Sequence, residues 1–268
     1  MARALWTGSL SFGLVNVPVA VVAAGRDLDL HFRQLHEKDG APIEVQRWCS
    51  KENVEIPYEE ITHGYELDDG GQVIVSDLEL QAIEPGRTRT IDIEQFVDLA
   101  DVDPIYFDHP YFLVPAGDDD GSLRAYRLLS EVMSRTDRAA LGRFVMRAKE
   151  YLAIVRHRDG ALTLTTMLFA DEIRDTKGID AGHQKSHKPS SKQLDAAVAV
   201  IEELSSEWEP DKLKDRYRAR LKRVVDRKRK GETIKVPEDG EPPEMPSDLM
   251  EALERTLEEL QTGNGKRR

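Results

Sequence analysis

Basic residues recur among apolar ones through Arg135-Thr136-Asp137-Arg138-Ala139-Ala140-Leu141-Gly142-Arg143-Phe144-Val145-Met146-Arg147-Ala148-Lys149-Glu150-Tyr151. If Leu141 to Met146 is a strand, the spacing predicts that Arg143 and Arg147 share a face, as do Lys149 and Arg156 in neighbouring positions. One face would then be buried while the other presents guanidiniums, whose planar forks match phosphate oxygens. A solvated charged face fits the same spacing, and the residues alone leave both open. Arg87 and Arg89, flanking Thr88, suit a loop that touches a phosphate backbone. Spaced arginines without a base-reading helix predict binding that ignores base sequence.

Catalytic chemistry finds no comparable support. The chain has no G-x-x-x-x-G-K-[ST], G-x-G-x-x-G, G-x-S-x-G or H-E-x-x-H pattern. Asp118-Asp119-Asp120 could hold a hard cation, but its glycine-flanked setting reads better as a solvated turn. His183 and His187 have the i, i+4 spacing of zinc ligands, yet they fall in a Gly/Ser/Pro-rich stretch with no placed third ligand. Cys49 is followed by Glu52, a C-x-x-E that reads as a small apolar thiol rather than a zinc knuckle. The expectation is a protein with no catalytic residues, no metal and no cofactor.

The elements that must position these residues divide in two. Residues 1–175 read mainly as β-structure: Val15 to Val22, the alternating Leu28-Asp29-Leu30-His31-Phe32, Gln72 to Val75, Ile91-Asp92-Ile93, and Tyr111 to Val114 between Pro110 and Pro115. Tyr151 to His157, Arg158-Asp159-Gly160 and Ala161 to Leu168 form the clearest hairpin, since Asp-Gly supplies the positive φ of a tight turn. One helix is expected here, capped by Ser122, with Leu123, Tyr126, Leu129 and Met133 on one face. Many short strands punctuated by Gly and Pro argue for a barrel. Residues 176–191 read as a linker. After it the period turns helical: one helix capped by Ser191 with Leu194, Val198, Ile201, Leu204 and Trp208 inward, and a second restarted by Pro210-Asp211 with Leu213, Tyr217, Leu221 and Val224 inward. Beyond residue 230 a Pro-rich acidic extension, 231–268, ends in a short helix capped by Ser247, its stripe formed by Leu249, Leu253, Leu257 and Leu260.

The 268 residues carry a net charge of −12, awkward for a partner of nucleic acid, because phosphate neutralisation supplies most non-specific affinity. The average conceals segregation. Residues 27–103 hold 20 acidic and 6 basic side chains, residues 124–158 hold 3 and 9, residues 212–230 hold 2 and 11, and residues 231–268 hold 10 and 5. An acidic protein can therefore still present a basic groove. The basic 212–230 helix could lie along DNA, grip an acidic partner, or simply be a solvated amphipathic surface. No run of eighteen apolar residues occurs, no secretory leader is visible, and a single cysteine fits a reducing compartment; a cytoplasmic, nucleoid-associated protein with no membrane partner is expected.

The opening Arg3-Ala4-Leu5-Trp6-Thr7-Gly8-Ser9-Leu10-Ser11-Phe12-Gly13-Leu14-Val15-Asn16-Val17-Pro18-Val19 reads as a barrel strand in which Gly8 and Gly13 allow bends or close approach and Pro18 marks an edge or exit. The string resembles the N-terminal signature of the bacterial Ku family, the DNA-end-binding proteins of non-homologous end joining. Further blocks follow in order: Tyr111-Phe112-Leu113-Val114-Pro115; Arg138 to Arg147 with Lys149-Glu150-Tyr151-Leu152; Glu172-Ile173-Arg174; Trp208-Glu209-Pro210-Asp211; Asp215-Arg216-Tyr217-Arg218 and Lys228. The resemblance runs from Ala2 to about Lys230.

That resemblance implies a β-rich α+β fold: a Ku-type β-barrel core, a long bridging excursion near residues 30–95, and a helical C-terminal region at 192–230. Two copies would close a ring around duplex DNA ends, as a homodimer. Arg33, Arg47, Lys51, Arg87 and Arg89 are then candidate lining residues within the bridge, beside Arg143, Arg147, Lys149 and Arg156. The family's usual partner, the ATP-dependent DNA ligase D, would engage the C-terminal part. An acidic protein-interaction scaffold on the same barrel, with little DNA binding, is the alternative, and a metal-dependent nuclease would need a carboxylate cluster that the chain lacks.

Overall fold

A computed structural model describes residues 3–83, 89–117, 119–179, 189–233 and 249–261. The chain separates into two compact units, residues 1–28 with 33–175, and residues 29–32 with 176–268.

The first unit is built on β1 (Ala4–Phe12), β2 (Val15–Ala23), β3 (Trp48–Cys49), β4 (Val54–Glu55), β5 (His63–Glu66), β6 (Gln72–Val75), β7 (Thr90–Asp98), β8 (Phe107–Pro115), β9 (Arg138–Met146), β10 (Lys149–Arg158) and β11 (Ala161–Met167). Seven of these close a barrel in the order β1-β2-β8-β11-β10-β9-β7. Closure is made by a short parallel pairing, Ser9, Leu10 and Ser11 of β1 beside Thr90, Ile91 and Asp92 of β7. The barrel is filled by Leu10, Val17, Val19, Val21, Ile91, Leu113, Phe144, Val155, Leu162 and Leu164, all buried. These are mostly β-branched or branched aliphatic side chains, which pack well on a pleated surface.

Two prolines lie inside strands. Pro18 pairs opposite Ser9, and its carbonyl accepts from Ala116 N–H at 3.2 Å. Its ring nitrogen therefore faces β8 where β8 ends, and no donor is lost to β1. Pro18 is thus not the strand exit that the sequence suggests. Pro110 repeats the device: its carbonyl accepts from Ala24 N–H, so the missing donor faces the side where β2 has stopped. For this reason β8 runs through Pro110 and is longer than the Tyr111 to Val114 expected.

Helix α1 (Asp77–Ile83) lies between the small hairpins and β7, and α2 (Asp120–Thr136) crosses one end of the barrel. Asp119, not Ser122, caps α2: its carboxylate accepts from Ser122 N–H at 2.9 Å and from the Ser122 hydroxyl at 2.6 Å. Those two bonds hold the Asp119 carboxyl below its ordinary range, the hydroxyl bond contributing most. The buried face of α2 is Tyr126, Leu129, Ser130 and Met133. The Tyr126 hydroxyl donates to Leu113 O at 2.7 Å and accepts from Leu162 N–H at 2.9 Å, joining β8 to β11. A depression of about 500 Å³ beside this helix is lined by Phe12, Val15, Phe96, Leu128, Val132 and Met133.

Between β2 and β7 the chain makes the separate hairpins β3–β4 and β5–β6. No described residue of 24–83 is buried. Leu28-Asp29-Leu30-His31-Phe32 is not a strand, since it joins none of the described sheets. Apolar alternation without a partner ladder does not make a strand.

The second unit contains α3 (Ser191–Leu204), α4 (Arg216–Arg229) and α5 (Leu249–Gln261). Ser190, one residue before the expected cap, forms a capping box with Gln193. Pro210-Asp211 opens only a 3-10 turn; α4 starts later, where the Asp215 carboxylate accepts from Arg218 N–H at 2.8 Å. Helix α5 packs against α3, with Lys192 Nζ 3.3 Å from Glu254. The stripe expected inward on α3 is outward: Leu194, Val198, Ile201 and Leu204 are all exposed, as are Trp208, Leu213 and Tyr217. Asp118, His183, His187, Ser247 and the Pro-rich break at 237–246 lie outside the described residues.

Candidate nucleic-acid interface

Strand register sorts the basic residues between the two ends of the barrel. Helix α2 covers the end that holds the β1–β2 turn and the β10–β11 turn, through Tyr126 and its neighbours. The opposite end holds the β9–β10 turn, the finish of β2 and the start of β7. Arg147 and Ala148 form that β9–β10 turn, both with positive φ (54° and 63°), the two-residue geometry that follows the right-handed twist of the strands. Arg147 is therefore on a turn and does not share a strand face with Arg143, as its spacing predicts.

Lys149 opens β10, and its ammonium lies 5.3 Å from the centre of the Tyr151 ring. Tyr151 is in turn 5.7 Å from Phe144, in the core. Tyr111, nearby on β8, has its hydroxyl pKa pushed up, first by burial and then by Tyr151, with the Arg147 charge opposing. Arg89 directly precedes β7 at this end, and its carbonyl accepts from Ser9 N–H at 2.8 Å. Arg89, Arg147 and Lys149 are thus brought together at one rim, all exposed.

Arg143 is placed differently. It points from the outer wall of β9 into two carboxylates, Glu94 at 3.0 Å and Glu150 at 3.3 Å, and lies over Phe169 at 5.8 Å. Glu94 reaches it because β7 is irregular between Ile93 and Gln95, which turns that residue toward β9. Both carboxylates are about half exposed, so the pairing is solvent-screened, but the site as a whole is not positive. Arg156 lies towards the far end of β10, paired with Thr163, among Arg138, His157 and Asp137 beneath the end of α2. Arg156 and Lys149, separated by an odd number of residues, fall on opposite faces of β10. The expected single basic face does not form.

On the excursion, Arg33 is exposed, Arg47 lies 5.1 Å over the Tyr58 ring, and Lys51 sits in the turn between β3 and β4. Arg87 lies outside the described residues. Among the described residues no three His, Cys, Asp or Glu side chains converge on a metal-sized site. Asp119 is engaged in its cap, Asp120 pairs with Arg124 at 3.8 Å, and the Cys49 thiol is half-buried and free. No described helix is long and apolar enough to cross a membrane. What spacing could not reveal is the neutralisation of Arg143, which depends on a strand distant in sequence. The positive φ at Arg147 and Ala148 was likewise hidden, because neither is Gly or Asn.

The chain thus forms a closed seven-stranded barrel with a long excursion between β2 and β7. The family model described as the Ku70/Ku80 beta-barrel domain matches residues 11–196. The non-homologous end joining protein Ku of Anaeromyxobacter sp. (strain K) is 40% identical over 238 residues, covering 88% of this chain and 79% of that protein. The Ku protein of Mycobacterium tuberculosis (strain ATCC 25618 / H37Rv) is 35% identical over 270 residues, covering 98% and 97%. Ku 1 of Geotalea uraniireducens (strain Rf4) is 36% identical over 260 residues, covering 96% and 97%. The family model runs from the end of β1 through the excursion and the other barrel strands into the start of α3, and the relatives align over most of the chain, so this chain belongs to the bacterial Ku family of non-homologous end joining proteins.

Proposed function

We propose that two copies of the chain close a ring that threads onto duplex DNA ends, holds them without reading sequence, and acts with no catalytic step of its own. The observation that carries this reading is the placing of the excursion. It leaves the end of β2 and returns at the start of β7, both at the barrel end that carries Arg89, Arg147 and Lys149. The excursion also leaves Val45 (92% exposed), Ile74 (70%) and Trp48 (55%) open to solvent. So many large apolar side chains without a core suit a segment that buries them against a second copy. Only the inner lining of such a ring needs positive charge, which accommodates the overall −12.

The helical 192–230 segment, joined through the 176–191 stretch, is proposed to recruit an ATP-dependent ligase of the ligase D type. Its exposed Leu194, Val198, Ile201 and Trp208 support a protein contact there. The test of the ring is a gel shift with one duplex in linear and covalently closed circular forms at matched salt. Threading gives complexes on the linear form alone, and more copies load as the fragment lengthens. Equal affinity for both forms would remove the ring. Binding to neither would favour an acidic interaction scaffold, a reading already encouraged by the carboxylates around Arg143.

A further inference from the structure

Helix α4 has a charge pattern that the barrel does not explain. Arg216, Arg220, Arg223 and Arg227 recur at i, i+4, i+7 and i+11, which places all four within an arc of about 60° on one face. The stripe is about 16 Å long at the α-helical rise. Tyr217, Leu221 and Val224 form a separate line on the same helix. The only acidic residue inside α4, Asp226, is off the arginine face. Among the described residues no carboxylate pairs with Arg216, Arg220 or Arg223; Arg223 Nε instead donates to Ala219 O at 3.3 Å.

The fourth arginine is occupied. Helix α4 ends with Gly231 in the left-handed region, φ +78°. Gly231 N–H returns to Lys228 O at 3.0 Å and Glu232 N–H to Arg227 O at 3.1 Å. This double closure folds the chain back over its own last turn. It sets the Glu232 carboxylate 2.8 Å from Arg227 Nε, so a carboxylate is held on the end of the stripe by backbone geometry. From residue 231 onward the chain turns acidic, with 10 acidic side chains against 5 basic.

We propose that the arginine stripe of α4 is a second contact for the phosphates of duplex nucleic acid, and that Glu232 competes with phosphate for Arg227. The inference rests on the DNA-binding reading above and adds a site outside the barrel, with an intrachain carboxylate that moderates it. An all-arginine row suits phosphodiesters, because each guanidinium can fork onto two oxygens. A 16 Å row covers about five base-pair steps of one strand. A partner helix groove would use the Tyr217-Leu221-Val224 line instead, leaving the arginine row at its rim.

The test uses the full chain and a short linear duplex, with affinity measured across a salt series. Replacing Arg216, Arg220, Arg223 and Arg227 together by Gln keeps good helix formers in place, and circular dichroism checks that α4 persists. Each phosphate contact contributes roughly 0.9 to the slope of log affinity against log salt, so the slope should fall by about 3 to 4. Glu232→Gln should raise affinity about two- to fivefold, as expected for release of one exposed ion pair. An unchanged slope in the fourfold variant overturns the proposal, and assigns the row to a protein contact if ligase stimulation is lost instead. Arg147→Glu with Lys149→Glu separates the two readings. If that variant loses DNA while the α4 variant matches wild type, only this inference fails; if wild type binds no duplex at all, both fail.

Discussion

The indole Nε1 of Trp6 donates to the carbonyl of Val145 at 2.9 Å, tying β1 to β9 across the intervening β7. The ring also meets Phe144 edge-on at 5.7 Å. To lie there it passes over Gly8, whose missing Cβ would fall 2.4 Å from the ring and 2.2 Å from Arg89 O. The barrel is closed by an aromatic bolt seated in a glycine notch.

Gly8→Ala should therefore destabilise the first unit by about 1–3 kcal/mol or more, since the obstacle includes backbone that cannot swing aside. Gly142→Ala should do the same, because its Cβ would sit 2.3 Å from Asp92 O on the adjoining strand. Gly25→Ala, which meets nothing within 4 Å, should stay within about 0.5 kcal/mol of wild type. Urea denaturation of the three variants ranks them; equal midpoints would mean that the seam is loose.

How much of this was legible in the chain depends on the distance over which each contact acts. Gly8 in β1 signals close approach, and Gly13 and Asp159-Gly160 mark the turns of their hairpins, because all are local backbone demands. Trp6 has nothing in its neighbourhood that points to Val145, which is 139 positions away. Arg143 reads as a phosphate ligand until β7 brings Glu94 beside it. Caps were displaced by one to three residues, Asp119 for Ser122 and Ser190 for Ser191, since Ser and Asp compete for the same role and only backbone direction decides between them. The α3 stripe was visible, but a stripe does not say whether its partner is in the same chain.

Tyr126→Phe should cost about 1–3 kcal/mol, because it leaves the Leu113 carbonyl and the Leu162 amide without their shared partner in the core. Burial raises the Tyr126 hydroxyl above its ordinary value of 10.0, the bond from Leu162 opposing. A raised folded value means that stability is complete below pH 10.0 and is lost as pH rises through the folded value. The gap in melting temperature between wild type and Tyr126→Phe should accordingly narrow above that pH. A constant gap would show that the phenol titrates alike in the folded and unfolded chain.

The β9–β10 turn separates strain from charge. Ala148 holds φ 63°, a conformation that costs a residue with a Cβ about 1 kcal/mol, so Ala148→Gly should raise stability by up to that amount and leave DNA affinity unchanged. Arg147→Gly relieves the same kind of strain at φ 54° but removes the charge, so it should gain stability and lose affinity. Arg143→Gln should weaken binding less than Arg147→Gly, since Glu94 and Glu150 already offset Arg143. If Arg143→Gln proves the more damaging, the contact lies on the outer wall and the rim assignment is wrong.

The excursion offers the sharpest division between a ring and a monomeric binder. Val45 and Ile74 are 92% and 70% exposed, and neither belongs to the barrel, so charging them disturbs no core that the chain builds alone. A fully buried aliphatic side chain contributes about 1.5–3 kcal/mol, so two glutamates placed at an interface that buries both copies twice over should prevent association at micromolar concentration. The expected outcome for Val45→Glu with Ile74→Glu is a monomer by light scattering, with the melting temperature of the barrel retained. Retention of linear duplex after challenge with competitor should vanish with the dimer, because a half-ring cannot hold a thread. A dimer that survives both substitutions would place the interface elsewhere, and a monomer that still retains DNA would show that the barrel rim binds without encirclement.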